Sequence, residues 1–218
     1  MLRPFAFGKN WSDFAPLIDH ERVEAAKNGM IEPIPADQFE GKSFIDIGCG
    51  SGLYSLAAGR LGAARILAVD SDRDCIATTR SLLTAAEDFF VPRRAEVRSV
   101  FELDPERDGR FDIVYSWGVL HHTGNMWRAI ERAASMVEQG GLLVLALYRQ
   151  TRFDRFWKIE KRFYAHAPKP VQAIVRGASY HGAACLSRRK GIRGVGPHGP
   201  TRYEYVSLLS RLARRLSL

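Results

Sequence analysis

The sequence contains little cysteine and no long apolar run. Its three cysteines, Cys49, Cys75 and Cys185, lack the spacing of a zinc site, and their odd number indicates free thiols in a reducing compartment. No apolar stretch approaches the roughly 18 residues of a membrane span. The first residues, MLRPFAFGKNW, also lack the apolar stretch of a secretory signal. We therefore predict a cytoplasmic protein that holds no metal ion.

Charge is distributed unevenly along the 218 residues, whose net charge is +8. Residues 1–148 hold 16 Lys and Arg against 21 Asp and Glu, a balance of −5. Residues 149–218 hold 16 against 3, a balance of +13, and the strand and helix pattern changes at the same boundary. The predicted divisions are a core over 1–150 that begins with a helical segment at 1–40, a basic amphipathic helical extension over 151–186, and an irregular tail over 187–218.

Apolar residues in the core recur with the periods of strands and helices in alternation. The predicted strands are Ser43–Ile47, Arg65–Val69, Ala95–Ser99, Phe111–Tyr115 and Leu142–Leu147. The predicted helices cover 11–29, 53–61, 74–89 and 126–137, and Gly140 and Gly141 cap the last one. This alternation with short links indicates an α/β fold, a Rossmann-like parallel sheet with helices on both faces. The last strand is apolar on both faces, which predicts a place inside the sheet.

One strand runs into a glycine-rich turn that opens a helix, Asp46-Ile47-Gly48-Cys49-Gly50-Ser51-Gly52. Glycines allow a tight turn and a close approach of a ligand to the backbone. The helix N-terminus presents unpaired N–H groups to a carboxylate of the ligand. Asp70, 22 residues after Gly48, ends the next predicted strand, where a carboxylate can accept both hydroxyls of a ribose. The pattern therefore predicts a site for a nucleoside-bearing ligand.

A dinucleotide is one alternative ligand for such a turn. In the pattern G-x-G-x-x-G the third glycine would stand at position 53, where this chain has Leu53. A pyrophosphate needs the close helix approach that this glycine permits, so the spacing disfavours a nicotinamide-dependent oxidoreductase, which stays the less favoured enzyme hypothesis.

Three segments in order, FIDIGCGSGLYSLAAGRLGA, ILAVDSD and FDIVYSWGVLHHTGNMWRAIERAASMVEQGGLLVLALY, resemble the successive motifs of class I S-adenosylmethionine (SAM)-dependent methyltransferases. The resemblance covers about residues 5–170 and is greatest to the small-molecule branch, similar to the quinone-biosynthesis O-methyltransferases. It implies SAM as the cofactor and methyl transfer to a small-molecule acceptor at oxygen. A truncated protein that binds SAM without turnover is the alternative.

The resemblance implies a set of cofactor-binding residues. They are Asp46, Gly48, Cys49, Gly50, Gly52, Asp70, Ser71, Ser99, Val100, Ser116 and Trp117. In the family, the residue at Asp46 acts on the methionine ammonium, directly or through water, and the residue at Asp70 takes the ribose hydroxyls. Cys49 is expected to have a steric role in the loop.

The adenine and acceptor ends of the site are implied by four further positions. Ser71 would flank the adenine. Many relatives have an aspartate that bonds the adenine amino group, and because Arg98-Ser99-Val100 stands there in this chain, Ser99 and the Val100 backbone would replace it. Ser116 and Trp117 follow a strand at the place where relatives border the sulfonium and the acceptor.

Four side chains have two interpretations each. His121 and His122 are candidate general bases, because histidine titrates near neutral pH, or they are packing residues at a helix start. Trp117 either faces the sulfonium as a cation–π partner or fills the core, which we favour. Trp11 either covers the cofactor or attaches the first helix to the sheet.

Partners are suggested by the aromatic and basic segment at 153–164. It is expected to pack on the sheet with a solvated basic face, and the alternatives are a cap on the acceptor pocket or contact with a membrane surface. Nucleic acid is not expected, because Ser116-Trp117-Gly118-Val119 lacks the proline-shaped turn that holds a flipped base. The oligomeric state is not predicted.

Class I methyltransferases have seven strands, and strands six and seven are missing from this pattern. The last nine residues, SRLARRLSL, can be encoded so that the frame one base later reads HDWLGGYP, which resembles relatives at this place. One hypothesis is therefore a shift of the reading frame after about Lys190, and the other is a diverged short tail. The nucleotide sequence of the gene distinguishes them.

Overall fold

A computed structural model of the chain describes residues 8–86 and 91–147, with side chains from residue 11 onward. The predictions for the extension at 151–186, for the tail at 187–218 and for strands six and seven lie outside these residues. Within the described ranges, no helix is both long and apolar enough to cross a membrane.

The described strands form one parallel sheet, as predicted. They are β1 (Ser43–Ile47), β2 (Arg65–Asp70), β3 (Arg93–Val97), β4 (Phe111–Trp117) and β5 (Val137–Ala146). The sheet order is β3-β2-β1-β4-β5, and every neighbouring pair is parallel. Asp46 near the end of β1 pairs with Ala68 of β2 and with Tyr115 of β4. The order reverses direction beside β1, and ligands of such sheets bind at this point, outside the carboxyl ends of the strands.

Helices cover both faces of the sheet. They are α1 (Gly8–Phe14), α2 (His20–Ile31), α3 (Leu53–Arg60), α4 (Arg73–Ala85), α5 (Pro105–Asp108) and α6 (Met126–Ser135). Phe44 and Ile113 pack with α2 and α3 on one face. Their strand neighbours Ile45 and Val114 pack with α6 on the other face, as the alternation of side chains along a strand requires.

The single helix predicted over 11–29 is wrong, because the structure has two helices there. Pro16 lies in a short 3₁₀ turn, Ala15–Leu17, between α1 and α2. A proline has no N–H to continue the helical ladder, and its ring clashes with the preceding turn. Asp19 then caps α2 by accepting a hydrogen bond from the Arg22 N–H at 2.9 Å.

The predicted helix cap at Gly140 and Gly141 is also wrong, since α6 ends at Ser135 and both glycines lie inside β5. The register between β4 and β5 shifts there, and Gly140 has φ +78. A Cβ on Gly141 would lie 2.7 Å from the Asp112 carbonyl oxygen, so the two glycines allow a bulge in β5. β5 is the last strand in the order of the described sheet, and because residues after 147 are not described, its place inside the sheet stays a prediction.

Candidate functional site

The glycine-rich turn between β1 and α3 is held against the end of β2 by main-chain hydrogen bonds. The N–H groups of Gly48 and Cys49 both donate to the Val69 carbonyl, at 2.7 and 3.1 Å. Gly52, with φ +82, is the residue before α3, and its N–H donates to the Cys49 carbonyl at 2.8 Å. Only glycine adopts this left-handed conformation at little cost. The loop is therefore a preformed bend at the carboxyl end of β1.

Asp70 at the end of β2 touches this loop directly. Its Oδ2 accepts a hydrogen bond from the Gly50 N–H at 3.1 Å, and its Oδ1 accepts one from the Asp72 N–H at 2.9 Å. Burial raises the pKa of the Asp70 carboxyl, and the two backbone hydrogen bonds oppose that rise. The Cys75 thiol of α4 also forms a hydrogen bond with the Asp70 carboxyl. The structure thus brings together the glycine turn and the carboxylate that the sequence predicts to share one nucleoside.

Asp46 is a buried carboxyl under the same loop, only 2% exposed. Ser55 of α3 donates its hydroxyl hydrogen to Asp46 Oδ2 at 2.7 Å. Burial, with a smaller contribution from the charge of Asp70, raises the pKa of Asp46 to about 7. A cationic group placed beside Asp46 would stabilise its charged form. The chemistry of this position therefore fits an ammonium group.

The side chains at the end of β4 point to opposite faces of the sheet. The Ser116 hydroxyl is buried and donates to the carbonyl of Ile47, the last residue of β1, at 2.8 Å. The Trp117 ring stacks on Tyr115, with centroids 5.7 Å apart and planes 10° apart, and lies 6.0 Å from the Tyr54 ring. Trp117 therefore belongs to an aromatic cluster on the α3 face, and Ser116 links the two neighbouring strand ends.

His121 and His122 lie in a 3₁₀ turn, Leu120–His122, that follows β4. Their ring centroids are 4.0 Å apart. His122 is exposed, whereas His121 is half-buried. Burial, and secondarily the neighbouring His122, lowers the pKa of His121 to about 4. The His121 imidazole is therefore uncharged at neutral pH.

Ser99 and Val100 lie beyond β3, which ends two residues earlier than predicted. The Ser99 hydroxyl accepts a hydrogen bond from the Phe101 N–H at 3.3 Å, and the Ser99 N–H donates to the Glu102 carboxylate at 2.8 Å. Both groups thus form a capping box around a 3₁₀ turn. Val100 is buried, and Ser71, which follows β2, is exposed. Contact of these residues with an adenine stays a prediction.

An ion-pair cluster that sequence reasoning missed fixes the turn after β3. Arg98 Nη1 bonds both carboxylate oxygens of Asp108 in α5 at 2.7 Å, and Arg107 adds further bonds to Asp108. Burial alone would raise the pKa of Asp108, but the hydrogen bonds from the two arginines outweigh it and lower the pKa. Arg98 therefore binds Asp108 of the protein itself. The family resemblance predicts that this position lies beside the adenine.

Three side chains cover the glycines of the loop. A Cβ on Gly48 would lie 2.5 Å from the Val119 methyl groups, and a Cβ on Gly50 would lie 2.9 Å from the Trp11 ring. A Cβ on Gly52 would lie 2.8 Å from the Thr79 methyl group. Of these three, only Trp11 was considered from the sequence. The sequence could have identified Thr79 as a buried polar residue, because it lies at helical spacing among Cys75, Ile76 and Leu83 on the apolar side of α4.

Comparisons with known proteins agree with this geometry. The family model described as a methyltransferase domain matches residues 19–184. The ubiquinone biosynthesis O-methyltransferase of Chelativorans sp. (strain BNC1) is 31% identical over 120 residues, which cover 55% of this chain and 46% of the relative. The protein of the same description from Bradyrhizobium diazoefficiens is 27% identical over 158 residues, 68% of this chain and 58% of the relative. The chain spans about half the length of the curated relatives it matches.

Solved structures share the fold at low identity. The magnesium protoporphyrin IX methyltransferase of Synechocystis PCC 6803, solved with bound SAM, is 18% identical with a TM-score of 0.50 over 59% of each chain. The same enzyme with bound S-adenosylhomocysteine (SAH) is 18% identical with a TM-score of 0.51, covering 68% of this chain and 63% of that one. With its motifs, its family match and its Rossmann-like sheet, this chain belongs to the class I SAM-dependent methyltransferases, whose cofactor is SAM.

Proposed function

We propose that this chain binds SAM at the glycine loop and transfers its methyl group to an oxygen atom of a small-molecule acceptor. The observation that carries the proposal is the hydrogen bond between the Gly50 N–H and Asp70 Oδ2, at 3.1 Å. It supports the proposal because a carboxylate that would accept ribose hydroxyls and a glycine turn lie close enough to contact one nucleoside, at the carboxyl ends of the strands, where parallel sheets bind ligands.

Each end of SAM has a chemically matched group in this site. The Asp70 carboxylate would accept hydrogen bonds from the ribose hydroxyls. The buried carboxyl of Asp46 would face the methionine ammonium, and the N-terminus of α3 would face the methionine carboxylate. Ser71 and the Val100 backbone would border the adenine. The donors and acceptors of the site thus fit the cofactor of the family.

SAM supplies a methyl group that is already activated by its sulfonium leaving group. The protein therefore has mainly to align the acceptor and to exclude water from the site. Val119 and Trp11 contribute apolar surface directly over the glycine loop. Trp117 packs with its aromatic neighbours Tyr115 and Tyr54 at the end of β4.

Transfer to a hydroxyl also requires that the hydroxyl lose its proton. His121 and His122 follow β4, the strand end where acceptors bind in this fold, and we assign them to this step. Because His121 is uncharged at neutral pH, one of its ring nitrogens can accept a hydrogen bond. Both ring nitrogens are buried in this structure, so the turn that carries His121 has to open before the acceptor hydroxyl can reach one of them. The names of the curated relatives, ubiquinone biosynthesis O-methyltransferases, support oxygen as the atom that accepts the methyl group.

Calorimetric titration with SAH tests the cofactor half of the proposal, with NADH as the comparison ligand. Asp70→Ala should weaken SAH binding by about 1–3 kcal/mol, which is about 5- to 150-fold, because it removes a charged hydrogen-bonding partner. Asp37→Ala is the matched control, since Asp37 is exposed and precedes β1, on the side of the sheet where the strands begin. Binding of NADH but not SAH, or an unchanged affinity of Asp70→Ala, would contradict the assignment.

The transfer half is tested with SAM labelled in its methyl group and a panel of phenols, catechols, amines and thiols. We expect label in an ether product of a hydroxyl acceptor. Label that appears only in amine or thiol products would refute oxygen as the acceptor atom. SAH binding without transfer to any member of the panel would favour a protein that binds SAM without turnover.

A further inference from the structure

A buried hydroxyl lies directly beneath the glycine loop. Thr79 of α4 is 0% exposed, and its side chain packs under the turn that joins β1 to α3. A buried hydroxyl without a partner costs free energy, so a threonine at such a position is expected to have a hydrogen bond that matters to its surroundings.

Thr79 contacts three residues of the loop. Its Oγ1 donates a hydrogen bond to the Gly50 carbonyl at 3.1 Å, and it lies 3.4 Å from the Cys49 sulfur. Its methyl and hydroxyl groups also occupy the space next to Gly52, where a Cβ would come within 2.8 and 2.9 Å. One side chain therefore supports the loop by both hydrogen bonding and packing.

The hydrogen bonds of Gly50 show what this support does. On one side of its Cα, the Gly50 N–H is bound to Asp70, and on the other side the Gly50 carbonyl is bound to Thr79. Together the two bonds restrict the backbone angles of a residue at φ +56 that has no side chain of its own to restrict them. Glycine has the largest conformational freedom to lose, so an unrestrained Gly50 would have to be ordered when a ligand binds.

We infer that Thr79 is a positioning residue for the cofactor: its hydroxyl holds the Gly50 peptide so that the loop and the Asp70 carboxylate are arranged before SAM arrives. The inference rests on the proposed function, since it takes the glycine loop to be the SAM site. Thr79 itself acts through Gly50 and does not need to touch the cofactor.

Three threonine variants test the inference. Thr79→Val keeps the shape of the side chain but removes the donor, and we expect the Kd for SAH to rise about tenfold because the Gly50 carbonyl loses its partner. Thr79→Ser keeps the hydroxyl, and its Kd should stay within about threefold of wild type. Thr84→Val is the matched control, because Thr84 is exposed on the same helix and its replacement should leave the Kd unchanged.

The measurements are SAH binding by calorimetry, at a temperature where each variant is fully folded, and thermal unfolding of each variant without ligand. Hydrogen exchange of the Gly50 amide adds a direct readout, which should be faster in Thr79→Val than in wild type. A structural role alone would lower the melting temperature and leave the Kd of the folded protein unchanged. That result with Thr79→Val would overturn the inference, as would a Kd for Thr79→Ser more than fivefold above wild type.

A replacement variant and two binding controls separate a failure of the inference about Thr79 from a failure of the proposed function. If Thr79→Val does not fold, Thr79→Ala replaces it, and wild-type affinity of that variant would overturn the inference. If wild type itself fails to bind SAH, the proposed function is refuted rather than the role of Thr79. If wild type binds SAH and Asp70→Ala does not, the site is supported and the threonine variants decide the role of Thr79.

Discussion

The turn after β1 and the turn after β4 begin side by side at the carboxyl ends of the strands, but the first consists mainly of glycine and the second carries larger side chains. Main-chain hydrogen bonds to Val69 and the single side chains of Asp70 and Thr79 hold the turn after β1. The turn after β4 is also held by a main-chain hydrogen bond, from the Gly118 N–H to the Ala146 carbonyl at 2.9 Å. Just before it, at the end of β4, Ser116 binds the end of β1 and Trp117 stacks on Tyr115.

The difference separates the two halves of the proposed reaction. A turn made mainly of glycine presents main-chain groups to a ligand, which suits one invariant cofactor. A turn that carries larger side chains, such as those of His121 and His122, changes its surface with each substitution, which suits an acceptor that differs from one family member to the next. We therefore expect substitutions in the first turn to affect SAM binding and substitutions in the second to affect turnover.

The largest expected effect is that of Gly52→Ala, in the turn after β1. The new Cβ would meet the Thr79 methyl and hydroxyl groups and would lie 3.0 Å from the Thr79 Cα, in a backbone with φ +82. We expect SAH affinity to fall by about 100-fold or more and the unfolding free energy to fall by about 1–3 kcal/mol. Calorimetry and urea denaturation measure the two quantities.

Gly124→Ala is the matched control for this prediction. Gly124 lies in the turn after β4 with nearly the same angle, φ +80, but a Cβ there meets nothing within 4 Å. It should therefore show only the strain of a left-handed alanine, about 1 kcal/mol, and wild-type binding of SAH. Equal losses of SAH affinity in the two variants would break the distinction between the turns.

The next effect in size is that of His121→Ala on turnover. Removal of a proton-accepting group should lower kcat by about 100-fold or more, with the KM for SAM unchanged, since His121 lies in the turn after β4. Because the pKa of His121 is lowered to about 4, its protonation should not reduce the wild-type rate until the pH falls toward that value. Steady-state kinetics between pH 4 and 9 measure both effects, with His20→Ala, at an exposed histidine of α2, as the control. An unchanged kcat would show that His121 is a packing residue and not the general base.

The smallest effect is that of Asp46→Asn, which should act on binding and on stability in opposite directions. The pKa of Asp46 is about 7 in the folded protein against 3.8 for the free carboxyl. The folded state therefore binds more protons than the unfolded state between these values, and stability falls as the pH rises from about 4 to 7. Asparagine keeps the hydrogen bond from Ser55 without a buried charge.

We expect Asp46→Asn to raise the melting temperature at pH 8 by a few degrees and to weaken SAH binding about tenfold. Thermal unfolding at pH 5 and pH 8 measures the first effect, and calorimetry the second. Asp37→Asn, at an exposed position, should change neither. A melting temperature that falls in Asp46→Asn at pH 8 would show that the Asp46 charge stabilises the fold.

Much of the site was predictable because it depends on neighbours in the chain and on one rule of sheet geometry. The bounds of β1 agree with the prediction, and Asp70 meets Gly50 because the carboxyl ends of adjacent parallel strands share an edge. Two local patterns misled the prediction. Apolar spacing ran through Pro16 as if the helix continued, and Gly140 with Gly141 had the composition of a helix cap but forms a bulge.

Residue order and composition alone determined the class of fold, the glycine turn and the identity of the carboxylate beside it, since these follow from local periodicity and from the conformational range of glycine. The tertiary structure decided which distant groups complete the site. Thr79 under Gly50, Ser55 on Asp46 and Ser116 on Ile47 depend on how helices and strands pack. Packing is set by the whole core at once, so local spacing indicates that a residue such as Thr79 faces inward but not which group it meets.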